Sequence, residues 1–397
     1  MVIAQVLVSI YTLILIGWLS TETYGLIAAN YAAALLTSFV VNLGLHEWLI
    51  KTIPLNKDSR PLTGAILGYK ILAGLVWAAG LIAFLPKIKP GIYSPALLIV
   101  IILDTWFESS FYLLLADLLG NGKVIKTSVL LVTSRFLRLI SILAILILGS
   151  KSALLIVSLR LVSTVIIFAA AFLFTRPKFK GQKIVGIFRI LRSSIIFNAA
   201  EIQNLIFLQI DLNLFTLISS DQQLIGYFAI AISLINMIMS FPLGIAAMLL
   251  PNAIKTYNNS QEQFQHRMKR MLGGFLIFGI LIGAGVQIFR LEIIQGFFSQ
   301  NYRNAFSILI LASPLLLFRI INQVNRVYLI AVGEEKKQLL PQLIAIVFKL
   351  VIGFMVTKAF ALVGLIRLSI ISDLFLLMGF TYQVLRHYFR NVTKPTL

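Results

Sequence analysis

Asp104 and Glu108 lie four residues apart in one apolar stretch, and Arg135 and Arg138 lie three apart in the next. Both spacings put a pair of charges on one face of a helix. The stretches turn near residue 121, and in an antiparallel helix pair residues equidistant from the turn share a depth. That sets Asp104 level with Arg138, and Glu108 level with Arg135. Inside hydrocarbon each such charge costs about 2.5–3.5 kcal/mol on insertion scales, so each is a functional candidate. Two readings are open: ion pairs that tie the hairpin together, or a hydrophilic wall that handles a charged substrate.

Two further stretches carry dense polar faces. Arg319, Asn322, Gln323 and Arg326 recur at helical spacing. Arg326 is near one end of its stretch, where its long side chain can snorkel to the membrane surface. Arg319 is deeper, and neither neighbouring stretch offers an acid at its depth. A cation without a level acid calls for an anionic ligand, and the guanidinium fork suits phosphate oxygens, diphosphate included. Asn198, Glu201, Asn204 and Asp211 follow the same logic with the opposite sign. They read either as burial against other helices or as a water-accessible cavity whose carboxylates, Glu201 and Asp211, titrate to couple transport to protons. Lys349 is level with Asp373 across a turn near residue 361, Arg160 with Glu201 across a longer connection, and Lys70 can approach Glu47.

The elements that must position these groups are membrane helices. Of 397 residues, 59% are hydrophobic and only 12% charged, against about 25% charged in a soluble domain. Mean hydropathy is +0.96. Twelve apolar runs approach the roughly 20 residues that cross a bilayer as a helix, which satisfies its own backbone there. The ten-residue alternation of a barrel strand is not seen. Connections alternate in charge: the even-numbered ones with the C-terminal tail hold 20 Lys and Arg, the odd-numbered ones 6. The net charge of +20 is therefore read as the positive-inside bias, not as a nucleic-acid surface, and puts both termini in the cytoplasm of a multi-pass cell (inner or plasma) membrane protein. The apolar start has no basic lead, so it reads as a retained span and not as a signal peptide.

The longest basic connection, 176–192, divides the chain into residues 1–175, a six-helix lobe, and 193–397, a second six-helix lobe with a short cytoplasmic tail. A repeat supports the division. Leu19-Ser20-Thr21-Glu22, Gly25 and Leu43-Gly44-Leu45 recur about 200 residues on as Ile218-Ser219-Ser220-Asp221, Gly226 and Leu243-Gly244-Ile245. There are no cysteines and three scattered histidines, which leaves no thiolate chemistry and no histidine metal cluster. Without a Gly-x-x-x-x-Gly-Lys phosphate loop the chain is not itself an ATPase. No catalytic residue, metal or cofactor is expected, and the reading is a transporter, not an enzyme. A polytopic polysaccharide polymerase or ligase is the enzyme alternative, but it would need a sizeable outside loop.

Several short motifs resemble those of the polysaccharide and O-antigen flippases, within the multidrug/oligosaccharidyl-lipid/polysaccharide exporter (MOP) superfamily. They are Leu19-Ser20-Thr21-Glu22-Thr23-Tyr24-Gly25, Asn42-Leu43-Gly44-Leu45, Ile225-Gly226-Tyr227-Phe228 with Ala231, Leu250-Pro251, Phe297-Phe298-Ser299 with Tyr302, and Gly333 with Lys336. Their order and spacing along the whole chain carry the resemblance. Ser299 stands where many members have glycine. The resemblance implies an all-α fold of about twelve transmembrane helices, in two six-helix lobes around a central cavity that opens alternately to either side. It implies a substrate, a polyprenyl-diphosphate-linked oligosaccharide of O-antigen or exopolysaccharide type carried from the inner to the outer leaflet, and polysaccharide-assembly proteins as candidate partners beside the lipid bilayer. On this reading Arg319, Asn322, Arg326, Arg135 and Arg138 bind the substrate, and Glu201 and Asp211 are the coupling carboxylates. A cation-coupled multidrug exporter of the same fold is the alternative; its cavity would favour acids, whereas basic residues are prominent here.

Overall fold

A computed structural model describes residues 2–55, 59–179, 184–288 and 303–392. Every regular element among them is helical: α1 Val2–Trp18, α2 Thr21–Thr37, α3 Phe39–Asn42, α4 Leu45–Thr52, α5 Arg60–Ile88, α6 Pro95–Gly120, α7 Val124–Leu148, α8 Ala153–Thr175, α9 Ile184–Ile218, α10 Gln222–Asn259, α11 Gln261–Ile288, α12 Arg303–Ala312, α13 Pro314–Ala331 and α14 Leu339–Val392, with short 3-10 turns. Starts and stops follow local chemistry. Ser20 caps α2 by accepting the Thr23 N–H at 3.2 Å, proline opens α6 and α13, and Gly149 closes α7 at φ +65°, a conformation glycine adopts freely.

Among the described residues, eight helices are long and apolar enough to cross a membrane, or up to ten if each of two bent pairs is one span; the sequence count is twelve. Two causes of the difference are visible. Helix α1 has only 17 residues. Helix α14 leaves helical geometry at Ala361 (φ 50°, ψ −139°) and doubles back. Phe348 and Phe375 lie 5.3 Å apart, and Pro341 and Leu368 crowd Gly379 and Gly353, each pair equidistant from Ala361 to within two residues. A straight helix would hold Phe348 and Phe375 about 40 Å apart.

The chain packs as two compact units: Ile3–Asn213 with Asp221–Gly226, and Leu214–Ser220 with the described residues from Tyr227 onward. In the first, α6 packs against α2, α4, α5, α7 and α8. Leu45, Leu49, Phe111, Leu114, Leu118 and Ile167 form its buried apolar core. In the second, α13 packs against α11 and α14.

The repeat has a structural counterpart, with one asymmetry. Gly25 and Gly226, its matching glycines, abut so closely that a Cβ on Gly226 would lie 1.9 Å from the Thr21 carbonyl oxygen. The Leu43-Gly44 copy breaks its span, with φ +43° and +68°. The Leu243-Gly244 copy stays inside α10. A Cβ on Gly44 would also meet the Asn198 side chain at 2.2 Å, whereas one on Gly244 meets nothing within 4 Å. We therefore expect opposite outcomes from one substitution at the two positions. Gly44→Ala should lower the thermal midpoint of the detergent-purified protein sharply. Gly244→Ala should leave it unchanged or raise it, since alanine is favoured over glycine in a helix by about 1 kcal/mol. Equal effects would contradict the asymmetry.

Candidate functional site

In the first unit, three guanidinium groups share two carboxylates. Glu108 meets Arg138 at 2.8 Å, Arg160 at 3.1 Å and Arg135 at 3.5 Å, while Asp104 meets Arg160 at 3.0 Å. The fully buried Asp104 also accepts hydrogen bonds from Tyr31 Oη at 2.7 Å and Thr164 Oγ1 at 2.6 Å. Arg160 lies 4.3 Å above the Tyr31 ring, and Arg135 donates to Tyr112 Oη. Eight residues from α2, α6, α7 and α8 thus build one network, and the charges of its five ions, all on α6, α7 and α8, sum to +1.

The hairpin register expected from sequence is met for Glu108 with Arg135. Arg138 turns instead to Glu108, because Arg160 from α8 occupies Asp104. Arg160 therefore does not match Glu201. It was the third helix, not the hairpin, that set the pairing: α6 packs on α8 as well as α7, so two faces compete for the same acids. Tyr31, Tyr112 and Thr164 were missed. Their only signal was polarity within apolar runs, which many structural residues share.

A second feature of this unit is a cleft of about 410 Å³ at a pair of helix breaks. At the break between α3 and α4 the Leu43 carbonyl accepts a hydrogen bond from Ser194 Oγ at 2.5 Å, and the Gly44 carbonyl, which also takes the Trp48 N–H at 3.2 Å, accepts one from Asn198 Nδ2 at 2.7 Å. Asn198 is itself the non-helical residue of α9, where the helix bends by 67°. Helix α9 supplies the donors for both breaks, since Asn198 Nδ2 also reaches the Ser194 carbonyl of its own bend at 3.2 Å, in keeping with the need to satisfy irregular backbone at membrane depth. Asn42, His46, Glu47, Lys70, Tyr112, Glu201 and Asn204 line the cleft among Phe39, Leu43, Leu113, Ile202, Leu205 and Leu208. Buried Lys70 approaches Glu47, as expected, with both lining the cleft, and donates its hydrogen bond to Asn42 Oδ1 at 3.0 Å. His46 takes Glu47 at 3.2 Å. Glu201 reaches the cleft, but Asp211 is buried and is not among its lining residues, so the two carboxylates do not share one site.

In the second unit Arg319, 7% exposed, pairs through Nε with Asp373 Oδ2 at 3.4 Å. This corrects the expectation of a cation without a level acid. The acid comes from the returning limb of α14, which is remote in sequence and was assigned to Lys349. Lys349 and Asp373, each twelve residues from Ala361, are both buried. Among the described residues, Arg319 Nη2 meets no hydrogen-bond partner. Asn322 donates to the Asp373 carbonyl at 3.4 Å. Arg326 does not snorkel: it is buried and its Nε donates to Gln338 Oε1 at 3.2 Å. The Phe297–Tyr302 motif lies outside the described residues. Among the described residues, no three His, Asp or Glu side chains group to hold a metal ion.

The fold is that of the MOP-superfamily transporters. An inward-facing multidrug resistance MATE family transporter of that superfamily superposes with a TM-score of 0.79, over 98% of this chain and 96% of its own, at 13% identity. The lipid II flippase MurJ, in an inward closed conformation, superposes at 0.76 over 96% and 85%, at 14% identity. A MOP transporter from Pyrococcus furiosus, described as having a binding pocket of reversed polarity, does so at 0.60 over 96% and 95%, at 14% identity. No family model matches the chain, nor does any curated protein. With its apolar helices, this makes the chain a multi-pass membrane protein whose structural neighbours are transporters and not enzymes.

The network carries its own test. Glu108 answers three cations and Arg135 only one acid. Glu108→Gln should therefore cost about 3–5 kcal/mol, the range for breaking a buried ion pair, and Arg135→Gln distinctly less. Thermal midpoints in detergent measure this; equal shifts for the two variants would contradict the shared geometry.

Proposed function

We propose that this chain carries a polyprenyl-diphosphate-linked oligosaccharide from the inner to the outer leaflet by alternating access, coupled to an ion gradient. The observation that carries the reading is the excess of buried positive charge: Arg135, Arg138 and Arg160 against Asp104 and Glu108, with side-chain exposures of 12–22% outside fully buried Asp104. A cluster held at +1 and still partly open favours an anion. Its guanidinium forks fit a diphosphate better than lysines would. The assigned grip is Arg135 and Arg138 in the first unit and Arg319, with Asn322 and Arg326, in the second, where the Arg319 Nη2 donor is unspent among the described residues. Glu201, at the rim of the cleft, is the first candidate for the coupling carboxylate, and Asp211 the second. The positive-inside bias puts both termini in the cytoplasm.

A second reading is a cation-coupled multidrug exporter. It is favoured by the cleft, where Glu47 and Glu201 stand among apolar and aromatic side chains, and by the MATE neighbour.

Transport separates the two. In vesicles holding equal amounts of full-length protein, the wild type should flip a fluorescent polyprenyl-diphosphate oligosaccharide. Arg138→Gln and Arg319→Ala should cut the rate tenfold or more, about 1.4 kcal/mol each, with Arg319→Lys restoring part. Glu201→Gln should remove the response to an imposed proton gradient. Wild-type rates in both arginine variants would reject the anion grip. Export of a lipophilic cation without flipping would establish the second reading.

A further inference from the structure

The second unit has a cleft of about 840 Å³ where α11 begins beside the end of α14. On one side it is lined by Arg267, Lys269 and Arg270, three permanent cations against the single carboxylate of Glu262. On the other, His387 and Tyr257 form the wall. That wall is built, not incidental: His387 is 8% exposed, with Nδ1 3.1 Å from Tyr328 Oη and Nε2 3.5 Å from Tyr257 Oη. Gln265 donates to the same Tyr328 hydroxyl at 3.2 Å. With both imidazole nitrogens engaged, His387 fixes the Tyr257 hydroxyl, and that hydroxyl with the basic turn is a donor set suited to a phosphate.

The basic face continues into an apolar one. Stepping three or four residues along α11 from Arg267 and Arg270 leads to Gly274, Ile277 and Leu281. Ile277 and Leu281 are 62% and 66% exposed. A Cβ on Gly273 or Gly274 would meet nothing within 4 Å, so the helix surface between the charges and the apolar stripe is bare of side chains and uncovered. From Arg270 to Leu281 is about 16 Å of helix, roughly half the 30 Å hydrocarbon core and so one leaflet. The opposite face of α11, Phe264, Met268 and Phe275, is buried. A soluble anion would use only the first part of this surface. A membrane lipid uses all of it.

We propose that this cleft binds an anionic phospholipid, its phosphate between the α11 basic turn and the tyrosine–histidine wall, and one acyl chain over the bare Gly273–Gly274 surface along Ile277 and Leu281. Basic clefts at the ends of transmembrane helices suit such headgroups. The site is separate from the charge networks above and stands whatever the transported substrate is.

Native mass spectrometry of the full chain in neutral detergent tests it, with phosphatidylglycerol and phosphatidylcholine of identical chains as probes. Phosphatidylglycerol should occupy the protein about tenfold more readily. The exposed double variant Arg267→Gln/Arg270→Gln should lose that preference, and Gly274→Leu should lower phosphatidylglycerol occupancy severalfold with the charges intact. Equal occupancy by the two lipids, or a preference that survives the double substitution, would overturn the site. Displacement of the lipid by inorganic diphosphate, with Gly274→Leu silent, would make it a soluble-anion site and overturn the lipid assignment.

Discussion

A charge inside hydrocarbon must be neutralised, shared or given a ligand, because leaving water is costly for an ion. Much of this molecule follows from that constraint. Asp104 and Glu108 sit on α6, the helix that packs against five others in the first unit, and draw Arg135, Arg138 and Arg160 from α7 and α8. Tyr31 and Thr164 take up the remaining capacity of Asp104. Sharing two acids among three guanidiniums leaves the network short of one negative charge. The same economy recurs in the second unit, where Arg319 reaches Asp373 opposite buried Lys349.

Backbone obeys the same rule. The break at Leu43-Gly44 and the bend at Asn198 would each leave carbonyls bare in lipid. They are instead joined, side chain to carbonyl, and the cleft opens beside the joint. Gly44 serves twice there, allowing positive φ and leaving room for Asn198. The repeat's second copy, Gly244, has no such partner and stays helical. A pair of similar sequences thus differs in geometry: the copy that Ser194 and Asn198 bond is broken, and the copy inside α10 is helical.

What the sequence made legible was whatever depended on neighbouring elements. Apolar runs foretold helices, and antiparallel depth arithmetic placed Glu108 with Arg135 and Lys349 opposite Asp373 across Ala361. What it hid depended on contacts between elements remote in the chain. Arg160 enters from the next helix and takes Asp104 from Arg138. Asp373 crosses 54 residues to Arg319. Lys70 lies near Glu47 as expected, but its hydrogen bond goes to the Asn42 amide oxygen, where α3 ends beside α5. Asn-Leu-Gly-Leu was visible as a motif, but a glycine in an apolar run signals no break until its partner is known.

The central claim is that buried excess cation, not buried acid, selects the ligand. The most direct test is equilibrium binding to the purified full chain at low and high salt, comparing a polyprenyl diphosphate, the uncharged polyprenol and a lipophilic cation. The diphosphate should bind most tightly, and Arg135→Gln/Arg138→Gln should abolish its advantage over the polyprenol. Equal affinity for diphosphate and polyprenol, or a preference for the cation, would contradict the claim.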